Sequence, residues 1–172
     1  MVLPHRIKKF SYPTSSSSHG GSLSLGKRKN KRPVSSSQSM HIVMRSVQAH
    51  GKYSLLLPKH AKLVHHIINK YGKRFEVRVY NFAFVGNHIH LLIKSKTREG
   101  LQNFLRVVAG QTAQRITHAE KGSPLAKRFW DLLAFSRIIP WGRAYSIVKH
   151  YIHKNILQGA AITRTSWLTN TC

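Results

Sequence analysis

The sequence predicts an α+β domain of the ferredoxin-like, split βαβ kind. The expected order is β-α-β-β-α-β with a further C-terminal helix, on a central antiparallel sheet. Three observations carry this. Period-two runs alternate with helical stripes along the chain. A two-residue turn signal, Gly86-Asn87, joins two strand-like runs. Apolar residues make up 41% of the 172, enough for one core.

The elements follow in order. His41–Val47 is short and rich in β-branched residues, which suits a strand. Pro58 opens a helix expected over Pro58–Tyr71 and ended by Gly72, with Leu63, Val64, Ile67 and Ile68 on one face. Glu76–Val85 alternates Val77, Val79, Asn81, Ala83 and Val85 against Arg78, Tyr80, Phe82 and Phe84. Both sets are largely apolar, so a central strand is expected. His88–Lys94 returns from the turn. Arg98–His118 is a helix with Leu101, Phe104, Leu105, Val108, Thr112 and Ile116 inward. Phe129–Ile139 reads as a bent fourth strand, and Arg143–Gln158 as a last helix stopped by Gly159.

Residues 1–40 hold eight Lys/Arg, no acid and two serine runs, and show no apolar period. They read as a flexible, Ser-rich basic tail ahead of a domain over 41–159, with a short C-terminal tail over 160–172. No apolar run approaches a membrane span and no secretory leader is visible. The single Cys172 excludes an internal disulfide. A cytoplasmic, nucleoid-associated location is expected.

Charge narrows the function. Lys and Arg number 29 against four acids, Glu76, Glu99, Glu120 and Asp131, for a formal charge of +25. A two-metal nuclease built on carboxylates would need three of those four, and a paired-carboxylate glycosidase is almost as hard to build. The surplus points to nucleic acid as partner.

Two constellations carry chemistry. In Asn87-His88-Ile89-His90-Leu91-Leu92-Ile93, residues two apart share a strand face, so His88 and His90 project together. Two such imidazoles can hold one divalent cation, or they can be ordinary hydrogen-bonded strand histidines. On the last helix Ile147, Tyr151, Asn155 and Gln158 share a face, and Val148, Ile152 and Ile156 form the adjoining stripe expected on the sheet. Tyr151 can be a nucleophile activated by a cation and a positive field, or an amphipathic tyrosine with a wet hydroxyl. A histidine-triad hydrolase needs a third alternating histidine, but position 92 is Leu.

Taken together, Gly86-Asn87-His88-Ile89-His90 resembles the HUH motif (His, bulky hydrophobic, His) of single-tyrosine transposases. Tyr151-Ile152-His153-Lys154-Asn155 resembles their catalytic helix. The nearest group is the REP-associated tyrosine transposases and similar insertion-sequence transposases. Phe129-Trp130-Asp131, Phe135-Ser136-Arg137-Ile138-Ile139 and Trp141-Gly142-Arg143 look like the segment before that helix. The resemblance implies a Mg²⁺ or Mn²⁺ ion on His88 and His90, with Asn155 as third ligand where the family more often has Gln. It implies attack by Tyr151 on single-stranded or hairpin DNA to give a 5′-phosphotyrosine and a free 3′-OH, by a monomer or homodimer. Gln158 stands where some similar sequences have an acid. Arg45, Lys94, Lys96, Arg98, Arg106, Arg115, Arg137 and Arg143 are phosphate-contact candidates, and Trp130, Trp141 and Phe135 could stack on unpaired bases. The alternative is a basic DNA- or RNA-binding protein, a degenerate transposase that does not cut.

Either reading predicts strong salt dependence. Single-strand affinity should fall at least tenfold between about 50 and 200 mM salt in a filter-binding titration.

Overall fold

The computed structural model describes residues 17–27, 30–119, 123 and 126–168, with side chains omitted at 158 and 160–168. Five strands form one sheet: β1 (Ser18–His19), β2 (Ser39–Arg45), β3 (Val77–Val85), β4 (His88–Ser95) and β5 (Phe135–Ile139). The helices are α1 (Pro58–Arg74), α2 (Arg98–Thr117) and α3 (Arg143–Leu168). The spatial order is β1-β5-β2-β4-β3 and every pairing is antiparallel. From β2 to β5 this is the expected β-α-β-β-α-β arrangement, with the two parallel strands β2 and β3 separated by β4.

One face of the sheet carries the main core. Met40, Ile42 and Met44 of β2 and Ile89, Leu91 and Ile93 of β4 pack against Val64, Ile67 and Ile68 of α1 and the inner stripe of α2. That stripe is the one read from spacing: Leu101, Phe104, Leu105, Val108, Thr112 and Ile116 are all buried. Burying each of these aliphatic or aromatic side chains contributes about 1.5–3 kcal/mol before entropy is set against it. Thr97 caps α2 by accepting from the Gly100 amide at 3.0 Å, and His118, at φ 56°, closes it in the left-handed conformation.

Several expectations are corrected. The β3 strand lies at a sheet edge, not its centre; it is apolar on both sides because α1 and α2 cover one face and α3 the other. Its alternation slips at a bulge between Val79 and Asn81. Val77, Val79, Phe82 and Phe84 therefore all join the main core, while Tyr80, Ala83 and Val85 face α3. The fourth strand is only Phe135–Ile139, because Phe129 and Trp130 pack into the core, with the Trp130 indole donating to the Ala109 carbonyl at 2.9 Å. Helix α1 runs past Gly72 to Arg74, and Glu76 takes the left-handed turn at φ 54°. Part of the Ser-rich leader is structured: Ser18 and His19 pair with Arg137 and Ser136, and Arg32 donates to the Ala134 carbonyl at 2.8 Å.

Helix α3 does not stop at Gly159 but continues through Leu168, so residues 160–168 of the expected tail are helical. Gly159 is needed for proximity. A Cβ there would lie 2.8 Å from the Phe84 carbonyl oxygen and 3.4 Å from Leu56 Cδ2. The helix can therefore rest directly on β3. Its buried stripe is Val148, Ile152 and Asn155; Ile156, expected on the sheet, is exposed.

Gly159→Ala raises helix propensity, yet it should destabilise the protein by about 1–3 kcal/mol through overpacking against a fixed backbone oxygen. Urea unfolding of the two proteins checks this. A neutral or stabilising result would contradict the tight seating of α3.

Candidate active site

The site lies on the face that α1 and α2 leave free. Strand alternation sends Ile89, Leu91 and Ile93 of β4 into the core, and His88, His90 and Leu92 to the other side. Across the β2–β4 ladder Arg45 pairs with His88, Val43 with His90, and His41 with Leu92. Paired residues share a face, so His41 and Arg45 join the two β4 histidines. Arg137 of β5 pairs with His41 and joins them as well.

Each ring has a local reason for its position. Gly86, at φ 51°, makes the tight turn that starts β4, and the Ser46 amide donates to the Asn87 carbonyl at 2.8 Å, tying that turn to the end of β2. His88 Nδ1 donates to Asn87 Oδ1 at 2.9 Å, which leaves its Nε2 as the lone-pair nitrogen. His90 is only 4% exposed. Its ring stands 4.8 Å from that of His88 and is stacked 5.2 Å from that of His41. His90 Nδ1 and His41 Nε2 are 3.0 Å apart and share a hydrogen bond. His90 Nε2 is buried without a partner.

Helix α3 brings the fourth member. Val148 and Ile152 bury against Ala83, Leu92 and Ile139, which places Tyr151 at the margin of that contact. Its ring stands edge-on to His90 at 5.4 Å and to His41 at 6.3 Å. It is 43% exposed, so a substrate can reach it from solvent. One turn on, Asn155 is buried, and its side-chain nitrogen also lacks a partner.

Burial sets the charge state. Desolvation, then the neighbouring His41 and His88, push His90 down to about 3. Desolvation, then Arg137, push His41 down to about 4. His88 is lowered by desolvation and then by Arg45. All three rings are therefore neutral near pH 7 and can offer lone pairs.

Among the described residues no three His, Cys, Asp or Glu gather in a way that could hold an ion. His88 and His90 stand side by side on one face, His88 with its Nε2 left as the lone-pair nitrogen and His90 with its Nε2 unpartnered, and such a pair suits a divalent cation whose remaining positions go to water and phosphate.

A family model described as "Transposase IS200 like" matches residues 34–155. The chain belongs to the IS200-like transposase family. A search of curated proteins gives no match. Among solved structures the chain is similar to a candidate transposase of Deinococcus radiodurans R1. Identity is 12% over 75% of this chain and 98% of that one, with a TM-score of 0.44. As an IS200-like transposase the protein acts on DNA, in a family that generally uses divalent metals. Among its described residues no helix is long and apolar enough to cross a membrane.

The IS200-like fold separates the expected DNA contacts into two groups. Arg45, Lys94, Arg137, Phe135 and Trp141 lie on the histidine face. Lys94 Nζ sits 5.9 Å from the Trp141 ring, whose indole donates to the Ser37 carbonyl at 2.7 Å, and Arg143 begins α3 beside them. Lys96 pairs at the surface with Glu76 at 3.8 Å. Arg98, Arg106 and Arg115 are on α2, across the sheet. Arg106 and Trp130 line a groove of about 620 Å³ there with Lys31 and Arg32. The side chain of Gln158 lies outside the described residues.

Spacing alone missed His41. Its strand was visible, but only the β2–β4 register shows that its ring meets His90.

The two buried rings predict a pH effect on stability. They are neutral when folded, whereas an unfolded histidine titrates near 6.5. The unfolded chain thus binds more protons below that value, and stability is lost as pH falls from 6.5 toward 4. The loss should be on the order of 1–2 kcal/mol per ring by pH 5. Urea unfolding at pH 7.5 and pH 5 should show it, with a smaller slope in His41→Gln/His90→Gln. An equal slope in that variant would count against the assignment.

Proposed function

We propose that this IS200-like transposase nicks and rejoins single-stranded, hairpin-forming DNA through a 5′-phosphotyrosine, as its resemblance to REP-associated tyrosine transposases implies. One observation carries the reading. Tyr151 stands edge-on to His90 at 5.4 Å, with Asn155 one turn along the same helix and His88 beside His90 on the same strand. The tyrosine comes from a helix and the two histidines from a strand, and their rings meet on one side of the sheet.

In this reading His88 and His90, with Asn155, hold Mg²⁺ or Mn²⁺. The ion, when bound, polarises a phosphate oxygen and offsets charge on the phosphorus. Tyr151 Oη forms a bond to the phosphorus and gives up its proton. The bond from phosphorus to the 3′ oxygen breaks, and that oxygen leaves as a 3′-OH after taking a proton. A second 3′-OH reverses the step and releases Tyr151, so strands are exchanged without hydrolysis. No water has to be activated, and the chemistry makes no demand on the four carboxylates. Arg45 and Arg137 flank the rings on the strands and supply positive field for a scissile phosphate. Trp141 and Lys94 lie further along the same face, where an unpaired base and its phosphate would pass.

The test is covalent capture. Labelled single strands from the flanking DNA, incubated with Mg²⁺ or Mn²⁺, should give a protein–DNA adduct. Tyr151→Phe should abolish the adduct while leaving binding within a few fold, and His88→Ala should lower its yield by at least 100-fold. Binding without any adduct under either metal would defeat the enzymatic reading and leave a DNA-binding transposase relic.

A further inference from the structure

Histidine 41 belongs to neither the HxH pair nor the tyrosine helix. It is 5% exposed, lies on the strand beside β4, and shares one hydrogen bond between its Nε2 and His90 Nδ1, 3.0 Å apart. A neutral imidazole carries its proton on one nitrogen only. The direction of this bond therefore decides what His90 presents at its other nitrogen. If His41 donates, His90 Nε2 bears a proton and becomes a buried N–H with no acceptor. If His90 donates, its Nε2 bears a lone pair.

We propose that His41 is a positioning residue for this site: its Nε2 accepts from His90 Nδ1–H and so holds the His90 ring with the Nε2 lone pair turned inward. The inference rests on His90 being a metal ligand and deepens that reading. Two arguments from the structure support the direction. A buried donor without an acceptor costs its full desolvation, whereas a lone pair at that place can be met by a cation. His88 is also oriented in the same sense by Asn87 Oδ1, which can only accept. Asn87 and His41 thus do the same work for the two rings, from a turn and from a neighbouring strand. A ligating histidine commonly gives its second N–H to a carboxylate, a carbonyl or water. In a chain with four acids that place is taken by a second imidazole.

The experiment reads the tautomer directly. Two-bond ¹H–¹⁵N spectra of the metal-free, DNA-free full chain should show His90 protonated at Nδ1 and bare at Nε2. Mn²⁺ titration by calorimetry should then show His41→Leu binding about 10–100-fold more weakly than the wild type. His41→Gln, whose amide oxygen can still accept, should recover most of that loss. A His90 ring protonated at Nε2 in the wild type overturns the proposal without any variant. So does a His41→Leu protein that melts cooperatively and binds Mn²⁺ as tightly as the wild type. The tautomer is read without metal, DNA or turnover, so its outcome is separate from adduct formation. An Nδ1-protonated ring in a wild type that binds no Mn²⁺ would defeat the metal reading and, with it, the purpose assigned to His41.

Discussion

Strands β2 and β4 pair Val43 with His90 and Arg45 with His88, and most of the candidate site depends on that register. A slip of one residue on either strand would turn its histidines into the main core and its Ile or Met side chains out to water. The register is held by what it buries: Met40, Ile42, Ile89, Leu91 and Ile93 are all fully inaccessible. The same apolar residues that stabilise the sheet therefore aim the rings. At the far end of the ladder, the Ser46 amide on the Asn87 carbonyl and Asp131 Oδ1 on the Val47 amide keep β2 from fraying where His88 begins.

The scarcity of carboxylates has a structural counterpart. Asp131 caps the end of β2 and pairs with Arg45 at 3.8 Å, Glu76 closes α1, and Glu99 lies in the first turn of α2. These three are used by the fold, so the site is made of neutral rings and an amide inside a cationic protein.

Much of this was readable from the chain because it is local. The HxH alternation, the Gly86-Asn87 turn and the α2 stripe depend on residues within a few positions, and each falls where expected. What escaped depends on partners far away in sequence. The bulge after Val79 changes which side chains face α3, and nothing in the alternating residues announces it. Gly159 looked like a stop, but it is a contact with Phe84, some 75 positions earlier. His41 became a site residue only through a bond spanning 49 positions. Asn155 was expected on an open helix face beside Tyr151, and it proves to be the buried end of the packing stripe.

The tyrosine and the histidines are not joined by any bond the protein makes. Tyr151 rides on a helix and the rings stand on a sheet, and the helix is seated on that sheet through Val148 and Ile152 against Ala83, Leu92 and Ile139. Those side chains act as a shim: their thickness sets where the Tyr151 ring stands against His90 and His41. A single methyl group added or removed there would shift Tyr151 against the rings without changing the tyrosine or the histidines themselves. Under the proposed function, reaction geometry is thus a matter of hydrocarbon volume, adjustable from beneath the site by residues that carry no chemistry of their own.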